Sequence, residues 1–83
     1  MKRLPKNLKL NDPIYMEWID AVGAAGWGQL EDLGHLEIVK TCAFYRGFHD
    51  GFIFICGDIS PKGSFGNRAA YPLVTITKIR KLK

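Results

Sequence analysis

Eighty-three residues make one domain with a small core, the size class that commonly needs a disulfide, a metal or self-association. Two cysteines, Cys42 and Cys56, exclude a disulfide framework, and His35 and His49 lack the spacing of a zinc site. The net charge of +4 divides into +3 over residues 1–12, −5 over 13–61 and +6 over 62–83, so both ends present cations around an acidic middle. Such ends suit phosphate contact, and they also keep a small protein soluble.

The opening stretch MKRLPKNLKLND is basic and no apolar run follows it. We read residues 1–12 as a basic tail, neither signal peptide nor anchor, and 13–83 as a single domain. The longest apolar runs are too short to span a bilayer, so a cytoplasmic, reducing setting without membrane contact is expected.

DPIYMEWIDAVGAAGW follows. Asp12-Pro13 has the form of a helix N-cap, and Ile14, Trp18 and Val22 recur at helical spacing. Ile14, Met16 and Trp18 also alternate with Tyr15, Glu17 and Ile19 as in a strand, and periodicity alone leaves both open. Residues 27–34, WGQLEDLG, place Trp27, Leu30 and Leu33 on one face of a short helix or turn. LEIVKTCAFYRG and GFIFICGDI are β-like runs joined through Asp50-Gly51, a strong hairpin signal. GFIFIC has no polar side chain on either face, so both sides need cover. The interior set would be Phe52, Phe54 and Cys56, and the other Ile53 and Ile55. Cys42 and Cys56 are expected as two buried, reduced thiols. SPKGSFGN reads as a plain loop, RAAYP as a short strand interrupted by Pro72, and VTITKIRKL as the last strand.

These parts, in this order, resemble an Sm-like domain. Phe48-His49-Asp50-Gly51-Phe52 is similar to the aspartate-bearing turn of its first half, and Tyr71 to Ile79 to the Tyr-x-x-x-x-Ile-x-x-Ile of its second half. Short phage-encoded proteins of this type also carry Trp-x-Asp-Ala, here Trp18 to Ala21, then Gly-Trp, here Gly26-Trp27, and Pro-x-x-x-Ile-x-x-Ile, here Pro72 to Ile79. The resemblance covers residues 14–82 and makes 14–22 a strand. It implies an all-β fold, a small, strongly bent five-stranded Sm-like barrel with one short helix. It also implies homo-oligomeric rings of about five to seven subunits closed head to tail through sheet edges. A phage origin would place the protein in the host cytoplasm.

The uridine pocket of that family is not written here. Phe54 stands where its asparagine belongs, and Pro72-Leu73 replaces its basic positions. RNA, or another phosphate-bearing ligand, is then expected to meet cations and stacking aromatics. Lys62, Phe65, Arg68 and Tyr71 supply both around one loop, and Lys78 and Arg80 add charge near the C-terminus. The plainer alternative has Phe65 capping the core and the lysines solvated. A protein-interaction ring and an oligomer capturing small nucleotides are the other readings. No cofactor, metal or catalytic activity is expected, since Asp50, Asp58, His35 and His49 join no nucleophile motif or phosphate loop.

Overall fold

The structure, a computed structural model, describes residues 4–22 and 35–82; the expected helix over 27–34, with Trp27, lies outside them. Seven strands follow in order: β1 Pro13–Val22, β2 His35–His49, β3 Phe52–Cys56, β4 Asp58–Ile59, β5 Phe65–Gly66, β6 Ala69–Pro72 and β7 Ile76–Lys81. A 3-10 turn, Leu73–Thr75, joins β6 to β7. Five strands form one antiparallel sheet in the order β6-β3-β2-β1-β7, and β4 pairs with β5 as a separate ribbon. Among the described residues no helix is long and apolar enough to cross a membrane.

The segment 14–22 is strand because both its edges are paired. Ile14 to Trp18 align with β2 on one side and β7 on the other. Asp12 caps no helix. Its carboxylate accepts the Lys9 backbone N–H at 2.7 Å and meets Lys81 Nζ at 3.2 Å, tying the lead-in to β7. Residues 4–12 also lay Leu4 and Leu8 on the core. The Lys9 N–H, and then Lys81, hold the Asp12 carboxyl below its ordinary value. A carboxyl lowered on folding adds stability above its unfolded pKa and loses it as pH falls through the folded one. Asp12→Asn is therefore expected to flatten the dependence of urea stability on pH on the acid side of the carboxylate range. An unchanged acid limb would contradict this.

β2 gives the sheet its shape. Its first part, His35 to Phe44, pairs with β1, and its last part, Phe44 to His49, pairs with β3. The register slips between Tyr45 and Gly47, leaving Arg46 as the extra residue of a bulge, and Gly47 takes φ 128°, a region open to glycine. Bulges bend and twist the strand that carries them, so β3 and β6 swing back toward β1. The Trp18 and Tyr71 rings lie 4.6 Å apart, although two strands separate β1 from β6. In a flat sheet those strands would stand about 14 Å apart, so the sheet is strongly curved. It is nonetheless open. β6 and β7 are its edges and are not paired with each other; the Trp18–Tyr71 contact spans the gap with side chains.

The core is the concave face: Ile14, Met16, Tyr45, Ile53, Ile55, Ile76 and Ile79 are buried, with Tyr71 and Trp18 packed against them. The Trp18 indole N–H donates to Thr41 Oγ1 at 2.9 Å. This reverses the expected facing of GFIFIC. Ile53 and Ile55 point inward, while Phe52 and Phe54 point outward and are 41% and 38% exposed. The one-residue bulge sets this register, because a shift of one residue turns every side chain of a strand to the other face. The Asp50-Gly51 turn forms as expected, both residues having positive φ, 52° and 79°, as a type I′ hairpin requires. Asp50 contributes this conformation; its carboxylate meets His49 Nε2 at 3.1 Å rather than the local backbone N–H groups. The 60–67 stretch is also more ordered than a plain loop. Ile59 pairs with Phe65, and Ser60 and Ser64 close the turn between them.

One cysteine differs from expectation. Cys56 is buried, but Cys42 lies exposed on the outer face opposite Tyr15, and Phe44 is the residue paired with Cys56. The native protein is expected to react with a thiol reagent at one cysteine quickly and at the second only on unfolding. Two equally fast thiols in the native state would contradict the placement of Cys56.

Candidate nucleic-acid interface

The outward turn of β3 creates a groove. Phe54 from β3, Arg46 from the β2 bulge, Phe65 from β5 and Arg68 from the β5–β6 connection line it, with Ala69 and Ala70 of the edge strand β6 beside them. Its volume is about 510 Å³, within the usual range for small-ligand sites. Two guanidinium groups and two aromatic rings face one space, and among the described residues no acid belongs to the lining. Asp58 on the neighbouring ribbon accepts a hydrogen bond from the Asn67 amide.

Arg46 is held by its surroundings. Its Cζ lies 3.7 Å from the centre of the Phe65 ring, and its Nη1–H donates to Asn11 Oδ1. Asn11 is itself fixed, because its N–H donates to the Tyr45 carbonyl at 2.8 Å. Among the described residues neither Arg46 nor Arg68 forms an ion pair. Phe65 is half-buried and Arg68 exposed.

The structure brings together part of what the sequence singled out. Phe65 and Arg68 share the groove, and exposed Lys62 occupies the turn of the β4–β5 ribbon. Tyr71 faces the other way: it pairs with Ile53 and packs at a tilt against Trp18 over the core. Lys78 and Arg80 sit on β7, at the opposite edge of the sheet from β6. There Lys78 is aligned with Glu17, and Arg80 lies 5.2 Å from the Tyr15 ring centre. The Tyr15 hydroxyl donates to Glu17 Oε2 at 2.5 Å; this bond to the carboxylate, and then partial burial, hold the phenol above its ordinary value. Sequence reading missed Arg46 and Phe54. Gly47 inside a β-rich run was the available sign, since an isolated glycine in a strand marks a bulge that re-aims its neighbours.

Among the described residues no group of three or more His, Cys, Asp or Glu is placed to hold a metal ion. The groove offers cations suited to phosphate and flat surfaces suited to bases. Comparison with protein-family models, with curated proteins and with solved structures finds no match for this chain.

Proposed function

We propose that the chain is an Sm-like binding protein that assembles edge to edge into a ring and holds single-stranded RNA, or another phosphate-bearing ligand, in the groove of Arg46, Phe54, Phe65 and Arg68. The observation that carries the reading is that groove, with two cations and two aromatics and, among the described residues, no acid in its lining. A base has a π-face to stack and a phosphate attached to it, and the groove offers a partner for each. The usual uridine pocket plays no part.

The assembly half of the proposal rests on the sheet. That sheet is five-stranded, antiparallel and strongly curved. β6 and β7 are both open edges, and pairing β6 of one copy with β7 of the next removes both. Such pairing would align apolar faces with apolar faces, because Ile76 and Ile79 point inward on β7 as Tyr71 does on β6.

A protein-interaction ring is the second reading. Phe48 and Val74 are 44% and 82% exposed, which suits a protein partner better than a phosphate. Size-exclusion chromatography with light scattering, read at two ultraviolet wavelengths, separates the readings. The proposal predicts a mass of several subunits with nucleic acid in the same peak. A clean ring favours the protein-interaction reading, and a monomer without nucleic acid overturns both.

A further inference from the structure

Arg46 and Arg68 line the same groove but are built differently. Arg46 is the bulge residue, displaced from the β2–β3 ladder, and its guanidinium lies over Phe65 with a donor given to Asn11. A guanidinium is planar. With one side against a ring and an edge occupied, its other side is the surface left for a ligand, and Arg planes stack nucleobases as aromatic rings do. Arg68 is exposed and, among the described residues, has neither ring nor carboxylate against it. Its freedom suits a phosphate, which approaches from solvent.

Resting on the nucleic-acid reading above, we infer that the two arginines divide the work. Arg46, backed by Phe65, is a stacking platform that takes the flat face of a nucleobase together with Phe54. Arg68 neutralises the attached phosphate. The ligand class is the base-plus-phosphate unit of a single strand. Every base has a flat face, so base identity changes affinity little. Phe65 is a positioning residue in this arrangement and acts through Arg46.

Fluorescence anisotropy with labelled oligouridine and oligoadenosine of about twelve nucleotides tests this division, using the full chain across a salt series. Arg46→Lys keeps the charge and removes the plane. It is expected to weaken both oligonucleotides about tenfold while leaving the slope of log affinity against log salt unchanged. Phe65→Leu is expected to do the same, without touching either arginine. Arg68→Lys stays within about threefold of the parent, and Arg68→Ala makes the slope shallower by about 0.7. Melting temperatures of all variants check the fold. Binding by the parent with Arg46→Lys and Phe65→Leu both unaffected overturns the division of labour alone, as does a slope that changes with Arg46→Lys. No binding by the parent overturns the nucleic-acid reading and this inference with it.

Discussion

Ile53→Ala is expected to destabilise the domain by about 2–5 kcal/mol, read as a lower urea midpoint. Ile53 is fully buried on the concave face, aligned with Phe48 on one side and Tyr71 on the other. Removing its outer carbons leaves a cavity that a close-packed core fills only in part. The loss is large for a chain of 83 residues, because small domains have total stabilities of about 5–15 kcal/mol or less. Phe52→Ala removes a larger side chain and is expected to cost less, since Phe52 is 41% exposed and points outward. The comparison matters because the rings are the bulkier hydrophobes of the strand. If Phe52→Ala proved the more costly change, the facing of β3 would be wrong, and Phe54 would leave the groove with it.

Replacing both Arg46 and Arg68 by alanine is expected to weaken oligonucleotide binding about a hundredfold. Two charged contacts at about 1.5 kcal/mol each give that factor. The paired change Lys78→Ala and Arg80→Ala is expected to cost less than about fivefold, because neither residue lines the groove and exposed charges contribute little. Both sit on β7, at the opposite edge of the sheet from β6, where Arg80 lies over Tyr15. Equal losses from the two pairs would mean that binding follows net charge rather than the groove. Anisotropy at one fixed salt concentration, with melting temperatures matched, makes the comparison.

The strands were legible where a local rule decides. Asp50-Gly51 needs two positive φ values, and its residue types supply them. Pro72 ends β6 at a sheet edge, where a missing donor is tolerated. The facing of β3 was not legible, because it depends on one extra residue in β2. GFIFIC is apolar on both faces, so its pattern cannot reveal which face the bulge turns inward. The same bulge hides the groove. Arg46 and Phe65 are nineteen residues apart in sequence and meet only because β2 bends there and the 58–66 ribbon folds back. Lys62, Phe65 and Arg68 are legible because they are close along the chain. Tyr71 is equally close, but the strand's alternation turns it to the core.

The proposed function requires single-stranded RNA to meet this groove through phosphate and base. Its most direct test is the affinity of the unmodified chain for a labelled oligonucleotide as salt rises from about 50 to 200 mM. One phosphate on Arg68 in the groove and a second on Lys62, exposed on the adjoining turn of the β4–β5 ribbon, would give a slope of about −1.4, or roughly a sevenfold loss over that range, and more where several copies share one strand. A steep, reproducible decline is the predicted result. Affinity that stays flat, or no binding at the lowest salt, would contradict the account.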